Sequence, residues 1–104
     1  MVRVRLAESP RKTKKFEARV YDERDGKSRS VHFGAKGYSD YTKHLDGERK
    51  RRYLTRHGAD RSRQDWTKRG ILTPGFWARW LLWEETTMEG AKKKISKRFG
   101  IKFV

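Results

Sequence analysis

Apolar and cationic positions alternate at the start of the chain, where Val2, Val4 and Leu6 are interleaved with Arg3 and Arg5. A period of two sends alternate side chains to opposite faces of a strand, and the cations suit an edge position. Phe16, Ala18 and Val20 repeat the pattern, and Val31 and Phe33 resume it beyond Asp25-Gly26. Asp-Gly favours a two-residue type I′ turn. Such a turn pairs Val20 with Val31 and Ala18 with Phe33, so register and apolar face agree, and residues 16–33 are predicted to form a hairpin. Ser9 to Lys15 is a basic, Pro-containing stretch expected to be mobile. Residues 1–15 are therefore read as an edge strand or mobile segment ahead of one basic domain over residues 16–104.

The period then lengthens. Gly34 and Gly37 end the hairpin, and Tyr38-Ser39-Asp40-Tyr41 follows as a turn or short helix. Asp46 is placed to cap a helix from Glu48 to about His57, closed by Gly58, with only Tyr53 and Leu54 for an apolar stripe. Thr73-Pro74 is an N-cap and first-turn pair for a helix to about Glu84. That helix carries Phe76, Trp77, Trp80, Leu81, Leu82 and Trp83, and is expected to be the most buried element. Thr86 and Glu89 have capping-box spacing for a last helix ending near Phe99, with Met88, Ala91, Ile95 and Phe99 on one stripe. Ile101 and Phe103 alternate again as a terminal strand. The predicted class is α+β: a small antiparallel sheet, made of the hairpin and terminal strands, covered on one face by two or three helices.

Charge changes this picture from a fold to a surface. The 104 residues hold 28 Lys and Arg against 13 Asp and Glu, a formal net charge of +15. Residues 1–37, 38–72 and 73–104 are net positive by +6, +5 and +4, so the folded body is cationic and not merely a tail. Such an excess repels itself and is offset by a polyanionic partner. Four Trp, four Tyr and five Phe argue against a disordered chain. Cysteine is absent, which removes thiolate metal sites and disulfides. The N-terminal residues lack the apolar core of a signal peptide, and no apolar run approaches the roughly 18 residues of a membrane span. A soluble intracellular phase, without membrane attachment, is the expected location.

Two basic clusters are candidate polyanion contacts. On the Asp46-capped helix, Arg49, Lys50, Arg51, Arg52 and Arg56 outnumber the acids beside them, and guanidinium forks suit phosphate oxygens. On the last helix, Lys92, Lys93, Lys94, Lys97 and Arg98 lie off the apolar stripe. Arg19, Arg29 and His32 are assigned to the outward face of the hairpin if Val20 and Val31 point in. The Trp cluster, interleaved by Arg79, invites a base-stacking role, but in a chain this poor in Leu and Ile it reads better as core. The GxxGYSDY loop lacks the Lys-Ser/Thr pair of a Walker motif and reads as a turn.

Catalysis finds little support. His32, His44 and His57 have no ligand spacing. Asp40, Asp46, Asp60 and Asp65 are isolated, and each has a use as cap, turn residue or partner of a nearby Arg. No enzyme activity, metal or cofactor is expected.

The blocks FGAKGYSDYTKH (33–44), ERKRRYLTRH (48–57), GFWARWLLW (75–83) and KRFGIKFV (97–104) resemble a family of small, basic, functionally uncharacterised proteins of large eukaryotic DNA viruses and some tailed phages. The resemblance runs over about residues 16–104. It implies a virion or genome-associated component and brings no catalytic residues with it. The expected function is sequence-nonspecific nucleic-acid binding, duplex DNA foremost. The competing reading is a minor capsid or core protein whose basic surface holds acidic virion proteins. A small homodimer through the terminal strands is compatible with either.

Overall fold

The computed structural model describes residues 2–24, 26–58 and 66–104. Asp25, Asp60 and Asp65, which figured in the sequence reading, lie outside the described residues. Strand β1 (Val2–Glu8) pairs antiparallel with β2 (Lys14–Asp22), which pairs antiparallel with β3 (Lys27–Ala35). The last strand, β4 (Ile101–Phe103), runs parallel to β1, and the sheet order is β3-β2-β1-β4. The fold is α+β as expected, but two expectations need correcting. The sheet is mixed rather than antiparallel, and β1 is an interior strand rather than an edge. The chain passes from β3 through the helices before returning as β4, and that long connection permits a parallel pairing that a hairpin cannot make.

The Ser9–Thr13 connection carries hydrogen bonds of its own. Ser9 is buried, its N–H donates to the Lys15 carbonyl at 3.0 Å, and Arg11 N–H donates to its hydroxyl. The hairpin register differs from the two-residue turn by two positions: Ala18 faces Val31 and Phe16 faces Phe33. The strands stop earlier, at Asp22 and Lys27, because the Asp22 carboxylate accepts from Arg24 N–H at 2.9 Å and Gly26, at φ +66°, donates to the Asp22 carbonyl. An even shift leaves the apolar side chains on their expected face.

One face of the sheet is apolar, with Val4, Ala18, Val20, Val31, Phe33 and Ile101 buried. Helix α1 (Tyr41–His44) is capped by Asp40, and α2 (Gly47–Gly58) by Asp46, whose carboxylate accepts from the N–H of Glu48 and Arg49. Helix α3 (Pro74–Trp77) widens into a π-helical turn over Ala78–Leu82 instead of continuing as an α-helix to Glu84. The wider turn advances each residue by a smaller angle, which lets Trp80, Leu81 and Leu82 all lie toward the core. Helix α4 (Met88–Phe99) lays Ala91 and Ile95 on the same core and ends at Gly100 in the left-handed region, φ +68°. Its cap is Thr87, accepting from Gly90 N–H, one residue later than the capping-box reading placed it. The Trp cluster is core, as expected. Trp77 and Trp80 are buried, and their indole N–H groups donate to the carbonyls of Ile71 and Trp66. Those bonds tie the connection before α3 to the core.

Candidate nucleic-acid interface

The predicted cations fall into two groups, those engaged in holding the fold and those left to solvent. On α2, Lys50 belongs to the first group. Its ammonium donates to the Glu84 carbonyl at 2.7 Å and sits 4.9 Å from the centre of the Tyr41 ring. Arg51 is paired with Glu48, but both side chains are exposed, and such a pair contributes little to the fold. On α4, Lys92 is 3.6 Å from Glu89 and lies over the Phe103 ring, while Lys94 bonds Glu84 at 2.6 Å and Glu85 at 3.0 Å. Arg98 lies over the Trp80 ring, 4.9 Å from its centre. Arg49, Arg52, Arg56, Lys93 and Lys97 remain exposed. Arg49 and Arg56 flank buried Tyr53 and look onto a groove of about 410 Å³ shared with Lys14, Tyr38 and Ser39.

Several of these engaged cations converge on Glu84, just beyond the π turn. Its carboxylate, 13% exposed, accepts from Arg79 and Lys94 at 2.6 Å each, while its carbonyl takes Lys50. Partial burial alone would push the Glu84 carboxyl up, but the hydrogen bonds from Lys94 and Arg79 outweigh it and hold the acid below the usual carboxylate range. Hydrogen bonds to Glu84, first, and to Glu85 raise the Lys94 ammonium. Beside this knot the rings of Tyr41, His44, Trp83, Tyr53 and His57 form a ladder, tightest where Trp83 and Tyr53 stack at 4.2 Å and 2°. Burial raises the Tyr53 phenol to about 12, so it stays a neutral member of that ladder.

The sheet divides the two hairpin arginines. Arg19 stands on the open face, away from the helices. Arg29 faces Val20 and shares the helix-side face, beside Lys68 and Arg69 at the mouth of a cleft of about 510 Å³. The assignment of Arg29 to the outward face is therefore corrected. It lies two residues from Val31, and strand alternation puts both on one side. His32 does face outward, but it is engaged, with Nδ1 2.8 Å from the Ser9 hydroxyl and Nε2 3.5 Å from Glu17.

The open face gathers cations that the sequence reading did not single out. Register places Ser28, Tyr21, Arg3 and Lys102 in one row across the four strands, and Ser30, Arg19 and Arg5 in the next. Arg5 is directly opposite Arg19, and Arg3 directly opposite Lys102. Like charges so opposed are destabilising by about 0.2–1 kcal/mol each, and nothing in the packing requires them. Among the described residues, two carboxylates reach this cluster, Glu23 at 3.5 Å from Arg3 and Glu17 at 3.9 Å from Arg19, both at exposed arginines where an ion pair contributes little. Among the described residues, Arg5 and Lys102 have no ion-pair partner. The alternation that revealed β1 already showed Arg3 and Arg5 on one face; only the strand order shows that they meet Arg19 and Lys102.

Among the described residues, no group of His, Asp and Glu is arranged to hold a metal ion, and no helix is long and apolar enough to cross a membrane. No curated protein and no solved structure matches the chain. A family model described as a family of unknown function (DUF5754) matches residues 4–57, from β1 to the last turn of α2, which is more than half of the chain, and the protein belongs to that family.

Proposed function

We propose that this protein is a non-catalytic, sequence-nonspecific nucleic-acid-binding protein, and that it meets phosphates with the open face of its sheet. The observation that carries the reading is the pair of like-charge oppositions, Arg5 with Arg19 and Arg3 with Lys102. A solvated sheet gains nothing from setting cations across from one another. A polyanion turns the same repulsion into attraction, since each neutralised phosphate releases a counterion. Tyr21 in the first row offers a ring beside the cations, while Ser28 and Ser30 offer hydroxyl donors, a set suited to backbone contact and stacking rather than to reading base edges. Association with a viral genome is the setting proposed for it, in line with the sequence resemblance.

The test is fluorescence anisotropy with labelled oligonucleotides of unrelated sequences at low salt. Reversing two sheet cations, Arg5→Glu with Arg19→Glu, is expected to weaken binding near 0.1 M salt by at least about 25-fold for a single strand and about 60-fold for a duplex, because each lost contact removes about 0.7 or about 0.9 from the log–log salt slope. Arg49→Glu with Arg52→Glu on α2 should change affinity by no more than about threefold, the residue of a distant charge change. The proposal fails if neither single nor double strands bind at low salt, or if the α2 variant loses more affinity than the sheet variant. Retained binding to acidic proteins under those conditions would move the capsid reading ahead.

A further inference from the structure

Lys102 belongs to two surfaces at once. On the open face it completes the row with Arg3; with Lys92, Lys93 and Lys97 of α4 it also walls a groove of about 650 Å³ floored by Ile101 and Phe103. That volume is within the range of about 300–1,000 Å³ typical of ligand clefts. Glu89 is the one carboxylate lining it, and it is 3.6 Å from Lys92, so among the described residues Lys93 and Lys97 have no ion-pair partner.

The cations therefore trace a continuous path. Arg19, Arg5, Arg3 and Lys102 cross the sheet diagonally over roughly 12 Å, given strands about 4.8 Å apart and alternate residues about 6.8 Å apart along a strand. Beyond Lys102 the sheet ends, because β4 is an edge strand of three residues. The path resumes on α4, which packs against the opposite, apolar face of the sheet through Ala91 and Ile95. Lys93 and Lys97 stand one turn apart there, about 6 Å between Cβ atoms. A ligand touching both Arg5 and Lys97 must bend around one strand. Duplex DNA, with a persistence length of about 150 base pairs, cannot follow a corner that tight. A single strand can, and a groove walled by lysines, with the Phe103 ring in its floor, is suited to following its backbone.

We infer that the nucleic acid is single-stranded, its backbone passing from the open face over the β4 edge into the groove between α4 and β4. This rests on the nucleic-acid reading above and replaces the duplex DNA expected from the sequence. The probe is an oligothymidylate of about 12 nucleotides, within the site sizes of small strand-binding folds, compared by anisotropy with a mixed-sequence duplex of equal length. The single strand should bind at least about fivefold more tightly at 0.1 M salt. Lys93→Glu with Lys97→Glu should weaken single-strand binding by at least about tenfold and duplex binding by no more than about threefold, as expected from the loss of one or two counterion-releasing contacts. Both substitutions are on exposed positions, and an unchanged thermal melt checks that the variant is folded. Equal affinity for both forms with no effect of the α4 variant overturns the inference and leaves nucleic-acid binding standing. Equal loss for both forms also overturns it, since a duplex would then reach the groove. Absence of binding to either form removes the parent reading, and this one with it.

Discussion

Replacing Arg5 by Thr should make the protein more stable and a poorer binder at the same time. Arg5 is directly opposite Arg19 on the exposed sheet face, with Arg3 two residues away on its own strand. If the guanidinium heads splay to about 7 Å in a water-like dielectric, their repulsion is about 0.6 kcal/mol. Threonine removes that repulsion and is a good strand former, so the fold should gain roughly half a kcal/mol and about 3 °C in melting temperature. The gain should shrink as salt rises, because the Debye length falls to about 10 Å at 0.1 M. Binding moves the other way. Losing one phosphate contact to a single strand flattens the salt slope by about 0.7, which over the decade from 1 M to 0.1 M is about fivefold in affinity. Melting followed by circular dichroism at two salt concentrations, with anisotropy on the same preparations, reads both quantities. Arg5→Lys is the control, keeping the charge and hence both the repulsion and most of the affinity. A stability gain with unchanged affinity would refute the argument, because Arg5 would then be an unused charge; a fall in melting temperature would refute the repulsion itself.

Other residues carry separate expectations. Glu84→Gln leaves Arg79 and Lys94 facing an amide that can accept from only one of them, and should cost about 2 kcal/mol in urea unfolding at neutral pH. Because the folded-state pKa of Glu84 lies below its unfolded value, its contribution is complete above the ordinary carboxylate range and is lost as pH falls through the lowered folded value. The gap between wild type and variant should therefore narrow in acid, and a gap that widens there would contradict the assignment. Lys15→Met strands the Asp40 carboxylate, whose side chain is 3% exposed and 2.8 Å from Lys15 Nζ, and should cost about 3 kcal/mol. Adding Asp40→Asn should recover part of that loss, so a double variant worse than the single one in chemical denaturation would count against a charge penalty. Gly34→Ala combines φ +76° with a Cβ only 3.0 Å from Leu82 Cδ1, whereas Gly26→Ala has φ +66° in open space. The first should lower stability by about 2 kcal/mol and the second by about 1, and equal denaturation midpoints would show that Leu82 yields freely.

Periodicity made the layers of this fold legible, and pairing made the rest. Val2, Val4, Phe16, Ala18, Val20, Val31 and Phe33 fall on one face whether the hairpin turn has two residues or four, because an even register shift preserves parity. Helix α2 with its Asp46 cap was readable for the same local reason. Strand order was not, since the contact of β4 with β1 depends on where the helices return the chain. The interface suffered most. Whether Lys50, Arg51, Lys92 or Arg98 is available to a ligand depends on Glu84, Glu48, Glu89 and the Trp80 ring, and only Glu48 and Glu89 are near neighbours along their helices. Charge density along the chain therefore pointed to the helices, while the cations that directly oppose one another, Arg5 with Arg19 and Arg3 with Lys102, come together only where three strands meet. The π turn had no local signature, because Trp80, Leu81 and Leu82 suit an all-round buried α-helix equally well.

The pairing of Arg3 with Lys102 has a kinetic side. These residues come from opposite ends of the sequence, and β4 holds its place with three residues against β1 and a further bond from Val104 N–H to the Val4 carbonyl. Contacts of such sequence separation are slow to form, and short edge strands are among the first to open in native-state fluctuations. The amides of β4 should exchange with solvent faster than those of β2. A polyanion bridging Arg3 and Lys102 would act as a clasp on that pairing, slowing exchange in β4 and raising the melting temperature with the logarithm of its concentration once that exceeds the Kd.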